Sequence, residues 1–252
     1  MVIVAHPDDE TVGAGSRLPR LRDARFVYVT DGAPRDGRDA ASHGLSPAGY
    51  AELRRRELAA ALTLCGISPD QVLNLGCPDQ QATAHMAALA RRLLGLFAQV
   101  RPEAVLTHPY EGGHPDHDAV AFAVHAAAAL LRRRGPWAPG IVEMASYHAG
   151  AGGIRPCAFL PDGLGEVATI ELTPREQRHK RALVECFATQ RQTLAYFPIG
   201  TERLRPSPVY DFLRPPHEGR LFYESHAWGT TGSQFRKLAA QAMAELALEG
   251  RL

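Results

Sequence analysis

The chain has little thiol, little net charge and no long apolar run. Its four cysteines, Cys65, Cys77, Cys157 and Cys186, form no CxxC pair and no tight cluster. That spacing excludes a disulfide scaffold and a structural zinc knuckle, and it points to a reducing compartment. Lysine is almost absent: Lys180 and Lys237 are the only two among 28 basic residues, and 27 acidic residues balance them to a net charge of +1. A dedicated nucleic-acid binder needs a marked basic excess, so that class is excluded. The apolar opening, Met1 to Ala5, gives way at once to His-Pro-Asp-Asp-Glu, which leaves no room for a secretory signal. The Ala119–Leu131 stretch is broken by His125 and falls short of the roughly 20 residues a membrane span requires. A cytoplasmic protein without membrane contact is the expectation.

At 252 residues, 45% of them hydrophobic, the chain can bury a substantial core as one large domain. Short β-branched runs alternate with helical patterns. Val2–Ala5, Phe26–Thr30, Val72–Leu75 and Ala104–Thr107 read as buried strands, too apolar for half-exposed ones. Pro47–Cys65, Ala82–Val100 and Asp116–Arg134 carry apolar residues at helical spacing. The alternation predicts an α/β, Rossmann-like fold: a mostly parallel sheet with helices on both faces. The last third has shorter strands, clustered prolines and two further helices, about Thr173–Gln192 and Ser233–Glu249. We expect a single domain spanning 1–252, with an α/β core to about residue 150 and a cap or rim over 151–252.

What is abundant is histidine. Of eleven, four (His108, His114, His117, His125) fall within eighteen residues. Two segments stand out: His6-Pro7-Asp8-Asp9-Glu10 directly after the first strand, and His114-Pro115-Asp116-His117-Asp118 after the strand ending near Thr107. In open parallel sheets, ligands bind outside the carboxyl ends of the strands, so both segments are delivered to the same edge. Imidazoles with a carboxylate and no thiolate suit zinc or a similar cation held by three protein ligands. One remaining Asp beside a metal-activated water serves as base, and one remaining His stabilises an oxyanion. Spacing alone leaves open which Asp and which His touch the metal.

The pairing of A-H-P-D-D-E with G-H-P-D-H about a hundred residues later resembles the LmbE/PIG-L family of zinc-dependent de-N-acetylases. The resemblance covers the core to about residue 150 and, more loosely, Ala188-Thr189-Gln190 and Leu221-Phe222-Tyr223-Glu224. It implies His6, Asp9 and His117 as ligands of one zinc ion, and a His2Asp set also accepts iron(II) or another divalent metal. It further implies Asp8 as general base, His114 as acid or oxyanion-stabilising imidazole, and Asp116 as the residue that orients His114. Arg54, in an R-x-x-E pattern with Glu57, and Asp79, in a P-D loop, match substrate contacts of the family. Their competing readings are an i,i+3 ion pair and an Asx turn. Where the family often reads T-x-G-E, this chain has Thr30-Asp31-Gly32-Ala33, which puts pseudo-disaccharide substrates in doubt.

The expected activity is metal-dependent removal of an N-acyl group, acetyl first, from an amino sugar or related small molecule. A metal-dependent amidase on a sugar or thiol conjugate is the alternative within enzymes, and a non-catalytic carbohydrate- or metal-binding protein the alternative outside them. The expected partner is a small N-acylated substrate, and a homo-oligomer is left open. Tyr110 and His148 remain undecided as substrate contacts, while His108 and His125 read as bystanders.

Overall fold

A computed structural model describes residues 1–161 and 166–252. In chain order the elements are β1 (Val2–Val4), α1 (Asp9–Ala14), β2 (Phe26–Pro34), α2 (Arg38–Ser42), α3 (Pro47–Leu64), β3 (Val72–Asp79), α4 (Met86–Val100), β4 (Ala104–Thr107) and α5 (Pro115–Arg134). There follow β5 (Gly140–Met144), β6 (Tyr147–Gly150), β7 (Gly153–Pro156), β8 (Ala168–Glu171), α6 (Pro174–Glu185), α7 (Arg191–Leu194), β9 (Thr201–Pro206) and α8 (Gly232–Glu245). The central sheet runs β3-β2-β1-β4-β5-β9-β8. Its first five strands are parallel, and β9 and β8 add antiparallel.

Strand β1 shows why the core has two layers. Successive side chains on a strand point to opposite faces. Ile3 and Ala5 enter one apolar cluster with residues of α4, α5 and α8, while Val2 and Val4 enter a second with residues of α1, α3 and α6. Both faces are covered, as the continuous apolar runs require. Helix α5 is buried along most of its length, and its alanines allow that close approach. Pro115 at its first turn and three arginines at its last suit the two ends of a helix.

The expected α/β class and the parallel core are present. The segment read as a rim does more than cover the core: β8 and β9 extend the main sheet itself, pairing outward from β5. The helix expected over Thr173–Gln192 is divided. Its α6 portion, capped by Thr173 with Glu176, ends at Glu185, and α7 begins only at Arg191.

Position in the sheet decides where chemistry can occur. The order reverses between β1 and β4, so the connections leaving these neighbours depart to opposite sides and open a crevice at their carboxyl ends. The residues after β1 and after β4 are the two His/Asp segments.

Candidate metal centre

His6 leaves β1 in a turn, and Asp8 precedes the first residue of α1 with φ 142° and ψ −22°. This is a region that a side chain with a Cβ rarely adopts, at a cost on the order of 1–3 kcal/mol. Strain of this kind persists where surrounding contacts hold it, and here Arg54 does so. Its Nη2 donates to the Pro7 carbonyl at 2.7 Å and to Asp8 Oδ2 at 3.0 Å. Gly32, at φ +65°, lets the guanidinium pass: a Cβ there would lie 3.0 Å from Arg54 Nε. The twist directs Asp8 and Asp9 differently, and Asp9 Oδ2 turns back to accept the His6 N–H at 2.6 Å.

The second segment is set by helix α5. His114 is its N-cap, and its Nδ1 accepts the Asp116 N–H at 3.1 Å. The proton of the neutral ring therefore resides on Nε2. His117 lies in the first helical turn. The loop before it is folded by Asp118, whose Oδ1 accepts the Glu111 and Gly112 N–H groups.

Three donors converge between the segments. His6 Nδ1 and His117 Nε2 are 3.2 Å apart, His6 Nδ1 and Asp9 Oδ2 3.3 Å, and His117 Nε2 and Asp9 Oδ1 3.1 Å. Ligand atoms about 2.0–2.1 Å from a tetrahedral ion stand roughly 3.3 Å apart. The two imidazole nitrogens have that separation, and each has a different oxygen of the Asp9 carboxylate at a similar distance, an arrangement that suits a divalent cation. The outer partners fit as well. His6 Nε2 lies 3.0 Å from Asp79 Oδ1 and 3.3 Å from Asp116 Oδ2, and His117 Nδ1 lies 3.3 Å from Ser146 Oγ. Metal-ligating imidazoles characteristically donate their second N–H in this way. Donor atoms within 4.8 Å of one another are found in the sets His6–His114–His117, Asp9–His108–His117 and His6–Asp79–His114–Asp116. The spacing suited to a tetrahedral ion crosses the first two; the carboxylates of the third hold His6 from behind.

The electrostatics divide the acidic groups. Burial pushes Asp8 up to about 6 even though the Arg54 guanidinium opposes it. Asp9 is held well below the usual carboxylate range, its burial outweighed by His117, His108 and His6. Burial also pushes His114 well below its ordinary value, with His6 adding to the effect. Two adjacent aspartates thus differ, one reluctant to ionise and one firmly ionised.

The eight residues singled out in the sequence come together here, with contacts that add detail. Asp79 lies against His6, and its Oδ1 is 4.0 Å from His114 Nε2. The Asp116 carboxylate accepts from Gln80 N–H, Ala82 N–H and His6, while its backbone N–H, rather than its carboxylate, reaches His114. Arg54 spends Nη2 on Pro7 and Asp8, and its Nη1 stands 3.6 Å from Glu57, the ion pair that the R-x-x-E spacing allows. Its Nε and Nη1 are buried without a hydrogen-bond partner among the described residues.

Sequence reasoning set His108 aside, yet it is fully buried beneath the site. Its ring stacks on His117 at 4.0 Å, and its Nε2 lies 3.0 Å from Ala5 N and 3.2 Å from Asp9 Oδ2. Its place directly after β4 was the available signal. Tyr110 lies in the core against Tyr210, Phe212 and Phe235 and donates to the Arg214 carbonyl. His125 packs on Tyr210 and Phe212, and His148 Nδ1 lies 2.7 Å from its neighbour's carbonyl, Ala149.

The family model described as GlcNAc-PI de-N-acetylase (PIG-L) matches residues 1–128. The chain belongs to this family. Among PIG-L relatives it is 28% identical over 160 residues to a 1D-myo-inositol 2-acetamido-2-deoxy-α-D-glucopyranoside deacetylase of Kineococcus radiotolerans, covering 52% of this chain and 44% of that one. It is 31% identical over 143 residues to a deacetylase of the same description from a Mycobacterium, covering 46% of each. The chain spans about half the length of these curated relatives. Of solved structures, an A40926 pseudoaglycone deacetylase is similar in fold, with a TM-score of 0.59 and 23% identity over 81% of this chain and 95% of that one. A conserved protein of Thermus thermophilus is similar with a TM-score of 0.52 and 20% identity, covering 83% of this chain and 95% of that one. No helix among the described residues is long and apolar enough to cross a membrane.

Proposed function

We propose that the chain hydrolyses the N-acyl group of an amino sugar or related small molecule at one divalent cation, zinc first, held by His6, Asp9 and His117. The observation that carries this reading is the 3.2 Å separation of His6 Nδ1 and His117 Nε2, with one oxygen of the Asp9 carboxylate within 3.3 Å of each and Asp8 strained at their side. The relatives' descriptions as deacetylases of an acetamido sugar support the bond and the substrate class. A small-molecule partner in a reducing, cytoplasmic setting accords with the four cysteines being free.

When bound, the cation polarises a water and an amide carbonyl and lowers the water's pKa towards neutrality. The protein's own groups supply the rest. Asp8 accepts the proton of the attacking water and returns it to the departing amine. Arg54 fixes which Asp8 oxygen is free, because its Nη2 holds Oδ2. His114, neutral and protonated on Nε2, donates a hydrogen bond to the acyl oxygen as charge develops there. Asp79 and Asp116 keep His6 in the tautomer that presents Nδ1. Arg54 lines the cleft but is almost fully buried, so its part is to hold Asp8.

The test is amine release from N-acetylglucosamine derivatives by protein stripped with a chelator and reloaded with one equivalent of zinc. Turnover that appears on reloading supports the reading. Turnover that never depends on metal overturns it.

A further inference from the structure

The cleft over the metal residues has a volume of about 630 Å3, within the roughly 300–1,000 Å3 range of sites that take drug-sized ligands. Its lining includes the polar groups Asp39, Arg54, Asp79, Gln80 and Gln190 and the rings Tyr147, Phe197, Phe222, His226 and Trp228. The rings form a continuous path. His114 and Trp228 are 4.5 Å apart, Trp228 and His226 4.3 Å and stacked, His226 and Phe222 4.7 Å, Phe222 and Tyr147 5.5 Å, and Tyr147 and Phe197 5.7 Å. All five wall residues lie beyond residue 128, outside the part matched by the family model.

This wall is built in register with the metal loop. The Phe222 N–H donates to the Gly112 carbonyl at 2.9 Å. Gly113 lies so close to Tyr147 that a Cβ would stand 2.0 Å from the Tyr147 carbonyl oxygen. Both contacts fix ring-bearing segments against the loop that presents His114.

An N-acyl amino sugar carries its hydroxyls on the amine side of the scissile bond, and Asp39, Gln80 and Gln190 in the cleft lining can pair with them. The acyl substituent then points the other way across the reacting carbon. His114, which donates to the acyl oxygen in the proposed reaction, touches Trp228. An acetyl methyl leaves most of such a wall uncovered.

We propose that the acyl group this site removes is larger than acetyl, a fatty or aryl-acyl chain lying along Trp228, Phe222 and Tyr147. The inference rests on the hydrolase reading above. The step is plain hydrolysis: the amide C–N bond breaks, the water oxygen bonds to the acyl carbon, and its proton ends on the amine. The products are the free carboxylate and the amino sugar.

The experiment compares N-acetyl-, N-butyryl-, N-hexanoyl-, N-octanoyl- and N-phenylacetylglucosamine with the zinc-loaded protein, reading free amine. Each methylene added along the wall should raise kcat/KM by about fourfold over the first few carbons. Phe222→Ala and Trp228→Leu should each flatten that dependence on chain length. A flat or falling series overturns the proposal, as does a gain found only for aryl glycosides of N-acetylglucosamine, which would put the wall on the amine side. Amine release from none of the five would overturn the hydrolase reading itself, and this inference with it.

Discussion

Residues 1–128 bring charged side chains to the cleft, each held by backbone or by a second charged group. Residues 147–228 bring half-buried to exposed rings held mainly by one another. Asp8, Asp9, His114 and His117 have their directions set by helix ends, a strained turn and Arg54. Tyr147, at the start of β6, and Phe222 lean on the first half at Gly113 and Gly112, and Trp228 does so through the His114 ring. The first arrangement suits a reaction, where a small displacement costs much rate; the second suits the choice of substrate, where contact area matters more than angle. On that division, damage to the first half should fall on metal and turnover, and damage to the second on selectivity.

The largest expected effect is from His117→Ala. Losing one of three ligands should bring metal content, read by elemental analysis, close to zero and turnover to background. Asp8→Asn should keep one ion per chain yet lower kcat by about 10²–10⁴-fold, the usual contribution of a positioned base. Metal loss in that variant would place Asp8 among the ligands and blur the division within the first half.

Arg54→Lys should be milder. Lysine keeps the charge but not the fork that reaches Pro7 and Asp8 together. We expect metal content unchanged and kcat lowered about 10–100-fold, the range typical of outer partners in metal sites. An effect confined to KM would make Arg54 a substrate contact only.

The smallest effect tests the seam between the halves. His125, on α5, is buried, and its Nε2 lies 2.9 Å from Ser207 Oγ. Burial pushes His125 down to about 4, with Arg132 adding to the effect. Its neutral form is thus favoured in the folded protein relative to an unfolded value near 6.5. Stability from this site is complete above about pH 6.5 and is lost as pH falls towards 4. Tm should drop by a few degrees over that window, and His125→Gln should lessen the drop.

Much of the centre was legible because its residues are adjacent in sequence and follow strands. His6 through Asp9 and His114 through His117 declare both their chemistry and their place at the sheet edge. What could not be read depends on distant parts meeting. His108 sits one residue beyond β4, but only the packed structure stacks it on His117. Strands β8 and β9 are short and carry charged residues, so nothing local marks them as members of the main sheet. The ring wall joins Tyr147 to Trp228 across some eighty residues, and no spacing rule connects them. Likewise, R-x-x-E suggested Arg54 as a substrate contact, whereas its hold on Asp8 depends on the strained turn after His6.

The central claim is that Asp8 moves the proton at a cation held by His6, Asp9 and His117. It is tested most directly by measuring metal content and amine release on the same preparation of Asp8→Asn. The account predicts one ion per chain with turnover reduced by at least about a hundredfold. Full turnover, or loss of the ion as in His117→Ala, would contradict it.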